Sequence, residues 1–320
     1  MTFFRWRSRD RSVPPAVDPA YGNETLALML RQAEAGDWLA LRASLTAIQD
    51  PAEFTWMVAG VSEVGGIEEW IPEAASGEPD SALPLLLSGA RQVAWAWEAR
   101  TRASSQHVSE DQWKVFRQRL ELAEQQLFEV AEREPEWLAP WYFLQISGRG
   151  ASVDKEAGRI RFEAAVRRCP GHLGSHRERL QQLCAKWGGS HQEMHAFARS
   201  SMLAAPPGSP LGELVALGHL EHWLDLPSGA DRSYLTSHDV LSDLREALRR
   251  SILHPDYVRP VGWQSAYNTF AMAFALAGET WTARQLFEAV GSTVTSSPWR
   301  YLNGDDPAKA FTALRDHCAK

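Results

Sequence analysis

What this 320-residue chain lacks narrows its class before any motif is sought. Three cysteines, Cys169, Cys184 and Cys318, are too few to staple a chain of this size with disulfides. That points to a reducing compartment, and the expected location is the cytoplasm. The longest apolar run, around residues 83–87, falls far short of the roughly 20 residues a membrane helix needs. The opening MTFFRWRSRDRSVPPAVDP has no continuous apolar stretch of the kind a signal peptide carries. Alternating runs of β-branched residues are nearly absent, which argues against a sheet. There is no basic excess: 33 Lys and Arg against 40 Asp and Glu leave a net charge of -7, so a general nucleic-acid binder is not expected. P-loop, Rossmann fingerprint, G-x-S-x-G and H-E-x-x-H signatures are all missing, and no cofactor or catalytic set is predicted.

What is present is helix. Hydrophobic residues make up 44% of the chain, enough for a sizeable core. The 14 tryptophans are about three times the ordinary load for this length. Most are read as packing between helices, with ligand pockets and interfaces as the other use of so large a ring. Asn23 caps a helix carrying Leu26, Leu30 and Ala33, and Ala35-Gly36-Asp37-Trp38 breaks and restarts it. A turn so short forces the two helices antiparallel. Near the other end Ala277-Gly278-Glu279-Thr280-Trp281 repeats the device, between a helix with Tyr267, Phe270 and Phe274 and one with Ala283, Phe287 and Val290.

In organisation, residues 1–22 are expected to be a flexible basic leader. Arg5, Arg7, Arg9 and Arg11 interleave there with Phe3, Phe4 and Trp6, as in a frayed tail or, alternatively, an arm for membrane or nucleic acid. Residues 23–115 form an N-terminal helical region with a loop near 60–85, where Gly65-Gly66, Pro72, Gly77 and Pro79 cluster. Residues 116–315 form a helical array continuous with it, and 226–237 and 255–262 are read as connections.

Phe274, Gly278, Ala283 and Phe287 stand in a register that resembles the tetratricopeptide repeat. Its second-helix half recurs as Ala123, Leu127, Val130 and Pro135, then as Gly158, Phe162, Ala165 and Pro170. Each member of the second set lies 35 positions after its counterpart, close to the repeat's period of about 34. One step further, at Glu193, Phe197, Ser200 and Ala205, only the aromatic survives. The fold class implied is all-α, an irregular α-α superhelix of helix-turn-helix repeats. Lys186-Trp187-Gly188-Gly189-Ser190, then Met194 and Phe197-Ala198-Arg199, resembles a KWGGS…M…FAR segment of an actinobacterial, tetratricopeptide-like family catalogued as a domain of unknown function. Pro206-Pro207-Gly208-Ser209 and the 219–223 helix extend the likeness, as do Pro298-Trp299-Arg300-Tyr301-Leu302 and Asp306-Pro307. The resemblance implies a fold and no activity. Much of the segment also reads as helix punctuation, with Gly188 ending one helix, Ser190 and Glu193 forming a capping box, and Pro210 opening the next after Ser209.

Seven of the ten histidines fall within residues 172–238. His191 and His195 are four apart on the capped helix with Glu193 between them. His219 and His222 are three apart on the next, in a stripe with Leu211, Val215 and Leu226. The first reading is of hydrogen-bonded core or groove imidazoles. A ligand groove is the second, with Trp187, His191, Glu193, His195, His219, Glu221, His222 and Trp223 as binding residues. A metal held by His191, His195, His219 and His222 is the third, to which no commitment is made. Cys169, His172 and His176 have ligand-like spacing but straddle a repeat turn. The acidic run Glu121, Glu124, Glu129, Glu132 and Glu134 is expected to be a solvated helix face. Arg245, Arg249 and Arg250 sit where a helix end favours cations. The leading expectation is a non-enzymatic scaffold that binds a protein or peptide, the rival an enzyme or a metal- or small-ligand-binding accessory protein with a pocket at 187–223.

Overall fold

The computed structural model describes residues 15–100, 108–227 and 231–320. The leader's Phe3, Phe4, Arg5, Trp6, Arg7, Arg9 and Arg11 lie outside them. Among the described residues are sixteen α-helices and two short strands, so the protein is all-α, assembled from helix pairs joined by short turns. None of these helices is long and apolar enough to cross a membrane. The chain divides into two compact units: residues Asn23–Gln182, and a flanking unit of Met1–Gly22 with Leu183–Lys320. The division does not fall at 115/116, a point that lies inside a long helix.

The Asn23–Gln182 unit runs through α1 (Glu24–Glu34), α2 (Trp38–Thr46), α3 (Pro51–Ser62), α4 (Ile67–Gly77), α5 (Leu83–Arg100), α6 (Glu110–Arg133), α7 (Ala139–Gly150), α8 (Lys155–Arg168) and α9 (Leu173–Leu183). Side chains supply the starts. Asn23, Asp37, Asp50 and Asp154 each accept from a backbone N–H in the first turn of α1, α2, α3 and α8. Ser109 and Gln112 close a reciprocal capping box on α6. Gly36, at φ 66°, takes the left-handed turn between α1 and α2. Helix α5 packs against α3, α4, α6 and α7 and is buried on nearly every side. A Cβ on Gly89 would come within 2.9 Å of Leu127, so the close approach of α5 to α6 requires glycine there. Arg91 is buried in this core, and its guanidinium reaches Glu68 at 2.6 Å and Glu98 at 2.7 Å.

The segment near 60–85 is not a loop. Gly65 and Gly66 form a tight turn, Gly66 at φ 92°, and α4 follows with Pro72 inside it. Its stripe of Ile67, Trp70 and Ile71 has helical spacing. The buried isoleucines hold the helix despite the proline.

In the flanking unit, β1 (Ala16–Val17) pairs in parallel with β2 (Thr293–Val294). Residues 15–22, expected at the end of a flexible leader, are therefore tied down; Asp18 also accepts from the backbone N–H groups of Ala20 and Gly22. The helices are α10 (His191–Ala204), α11 (Glu213–Asp225), α12 (Asp231–Leu235), α13 (His238–Arg250), α14 (Gln264–Leu276), α15 (Thr280–Val290) and α16 (Pro307–Cys318). Helix α12 falls inside the connection expected at 226–237, while 255–262 carries no helix. Helices α11 and α14 contact one another and are buried along most of their length; within the core the Thr269 hydroxyl donates to Glu213 at 2.7 Å. Trp299 is fully buried between Phe287 and Phe311, and its indole N–H donates to Asn268.

Candidate functional site

Local punctuation sets the histidine junction. A 3-10 turn at Ala185–Trp187 ends at Gly188, φ 87°, where the left-handed region favours glycine. A Cβ on Gly189 would lie 2.0 Å from the Leu183 carbonyl oxygen, so the chain passes too close for any side chain. Ser190 then accepts from the Glu193 N–H at 3.1 Å and donates to the Glu193 carboxylate, and α10 begins. Spacing of four on α10 and three on α11 puts His191 with His195, and His219 with His222, each pair on one helix face. Helices α10 and α11 pack together, and the four rings meet.

The His191 and His222 rings stack at 3.9 Å, with 9° between their planes. His195 Nε2 lies 3.0 Å from His222 Nδ1. Tyr234, from α12, sets its hydroxyl 2.8 Å from His219 Nδ1 and 3.3 Å from His195 Nε2. Asp243, on α13, stands 3.6 Å from His219 Nε2, and Asp225 stands 3.0 Å from His191 Nε2. One assignment gives every hydrogen bond a donor: His195 Nε2–H donates to His222 Nδ1 and more weakly to the Tyr234 oxygen, Tyr234 donates to His219 Nδ1, and His219 keeps its proton on the nitrogen facing Asp243. Burial, then repulsion from neighbouring imidazoles, lowers His195 to about 3 and His219 to about 4, and lowers His222 by the same causes. Burial raises the Tyr234 phenol. At neutral pH His195, His219, His222 and the Tyr234 phenol form an uncharged relay.

Glu221 turns away from these rings. It is buried, accepts from the Tyr301 hydroxyl at 2.5 Å and pairs with Lys186 at 2.6 Å, beside a cavity of about 270 Å³ that His191 and Cys184 also line. Glu193 is exposed and serves as a cap, and Trp187 and Trp223 are half-buried. The structure thus gathers the four histidines but puts Glu193 and Glu221 to other work. Among the described residues no group of three His, Cys, Asp or Glu side chains is arranged to hold a metal ion. His172 instead caps α9, accepting from the Ser175 N–H at 3.1 Å, and His176 bonds the His172 carbonyl. Tyr234 and Asp243 escaped the sequence reading because they come from other helices, with no spacing to link them to the histidines.

A second site lies wholly within the Asn23–Gln182 unit, and the sequence reading missed it. An open groove of about 660 Å³ has Leu45, Leu83 and Leu138 as its buried floor and Ile48, Phe54 and Trp137 as partly exposed walls. The Phe54 and Trp137 rings meet at 5.4 Å. Glu78, Glu134 and Glu136 stand at its rim with Arg42. Arg42 is bound to Glu78 at 2.6 Å, and Glu78 also accepts from the Trp38 indole. Glu134, expected on a solvated helix face, lines this groove. Most of these residues sit in or beside a turn or near a helix end, so no periodic pattern announces the site; the local signal was Glu-Pro-Glu-Trp at 134–137.

No protein-family model matches the chain, and no curated protein matches it.

Proposed function

We propose that the protein is a non-enzymatic helical-repeat adaptor that takes up a peptide segment of a partner protein. One observation carries the reading: the open groove of about 660 Å³ whose walls expose Ile48, Phe54 and Trp137. Such a volume is in the range of binding pockets, and aromatic anchors in desolvated clefts dominate protein interfaces. Tetratricopeptide-type pairing is part of the proposal. Ala123, Leu127 and Val130 on α6, and Gly158 and Ala165 on α8, are buried in the shared register, which supports it. Kinship with the family of unknown function rests on the KWGGS segment. We propose the cytoplasm as the location, in keeping with the free thiols of Cys169, Cys184 and Cys318. Nucleic acid is not a proposed partner.

Peptide-display selection on the purified chain tests this. Selected peptides are expected to bind the native chain and to lose about a hundredfold in affinity to Phe54→Ala, the scale of a hot-spot truncation. Selection of nothing, or peptides indifferent to Phe54→Ala, overturns the adaptor reading.

A second reading is favoured by the histidine relay beside the 270 Å³ cavity: a metal- or small-ligand-binding accessory protein, or an enzyme, with its site at 187–223. Stoichiometric transition metal in protein purified without a histidine tag, lost in His195→Ala, would favour it over the adaptor.

A further inference from the structure

We infer that the groove of the Asn23–Gln182 unit recognises a cationic segment: an aromatic or bulky aliphatic side chain flanked by arginine or lysine. The inference rests on the adaptor reading and names the class of its partner.

The floor and walls accept the apolar side chain. The rim decides the charge. Glu78 and Arg42 neutralise one another, since the guanidinium is held at 2.6 Å and Glu78 is held in turn by the Trp38 indole. Glu134 and Glu136 remain, half-buried and exposed respectively, on either side of Pro135 and next to Trp137. Two nearby cations bear on that charge. Arg133 pairs with Glu129 and donates to the Pro79 carbonyl. Arg168 donates to the Pro135 and Ala164 carbonyls, lies over Trp141 and offsets part of the Glu136 charge, which leaves Glu134 uncompensated. The groove therefore offers a net negative rim around an aromatic wall. A guest guanidinium or ammonium gains twice there, from the carboxylates and from the face of Trp137. Phosphate groups and acidic peptides meet repulsion at the same rim, which sets nucleic acid aside.

The chain's own residues 2–11 supply a probe of this chemistry, TFFRWRSRDR, with arginine between aromatic rings. A dye-labelled synthetic peptide of that sequence is titrated into the full chain by fluorescence polarisation. Alongside it run a counterpart with glutamate for each arginine and one with serine for each. The arginine peptide is expected to bind at least about tenfold more tightly than either, the advantage shrinking as salt rises. Glu134→Gln with Glu136→Gln, both conservative changes at partly open positions, is expected to cost the arginine peptide roughly fivefold to tenfold and leave the serine peptide unchanged. If all three bind equally, or the double variant changes nothing, the cationic preference is wrong while the groove still binds peptide. If none binds, and display selection also fails, the adaptor reading goes with it.

Discussion

The two units bury polar networks of opposite character. In the Asn23–Gln182 unit Arg91 holds Glu68 and Glu98 in a charged cluster, and the unit leaves an aromatic groove uncovered. In the flanking unit His195, His219, His222 and Tyr234 bond one another without formal charge, and His191 stacks on His222. A charged network keeps its strength until its carboxylates take up protons in stronger acid or a member is removed. A neutral histidine network is cheap near pH 7 and fails when protons arrive. The groove lies open, whereas the relay is largely closed on itself.

The largest expected effect lies on the charged side. Arg91→Leu leaves the half-buried Glu68 without its counter-ion and is expected to cost about 2–3 kcal/mol, read by chemical denaturation. A loss below about 1 kcal/mol would mean that the cluster holds nothing together.

Acid is next. In the unfolded chain a histidine titrates near 6.5, whereas folded His195 and His219 are held at about 3 and about 4. Below about 6.5 the unfolded chain therefore binds protons first, and stability is lost progressively until the folded values are reached. Asp225 and Asp243 face the cluster and soften the loss. From pH 7 to 5 the melting temperature is expected to fall by about 5 °C. Hydrogen exchange should rise in α10 and α11, and also in α9, whose cap His172 is lowered to about 4. Around Arg91 exchange should stay flat: burial pushes the Glu68 carboxyl up, but the guanidinium pulls it down further, leaving it below the usual value. Equal loosening of α5 and α11 would erase the contrast between the networks.

The smallest effect belongs to the phenol. Tyr234→Phe removes the hydroxyl beside His219 and is expected to cost about 1 kcal/mol at pH 7. An unchanged melting curve would show that the relay does not depend on it.

Much of the fold was legible because helix punctuation is local. The Gly36 and Gly278 turns, the Asn23 and Ser190 caps and the buried α6 and α8 faces all follow from neighbouring residues. Yet punctuation does not fix the face a side chain takes. After the Gly36 turn Trp38 opens α2 and is 9% exposed, its indole bonded to Glu78. After the similar Gly278 turn one extra residue precedes Trp281, and it is 72% exposed. A single position rotates a side chain by about 100° around a helix, so the same turn buries one tryptophan and strands the other. The histidine junction was half legible for the same reason. Spacing within a helix exposed the four rings, whereas Tyr234 and Asp243 depend on packing between helices. The groove was hidden altogether, being composed of helix ends far apart in sequence. Pro72 misled in the other direction, since a proline mid-segment argued for a loop and the apolar stripe of α4 outweighed it.

The pairing of β1 with β2 bears on how the molecule is made. Ala16 and Val17 leave the ribosome well over two hundred residues before Thr293 and Val294. At about 5–20 residues per second that strand waits on the order of tens of seconds for its partner. Meanwhile the whole Asn23–Gln182 segment emerges and can complete its own core, as an insertion into a unit still lacking its second half. Stalled translation before β2 would thus yield a finished groove on an unfinished protein.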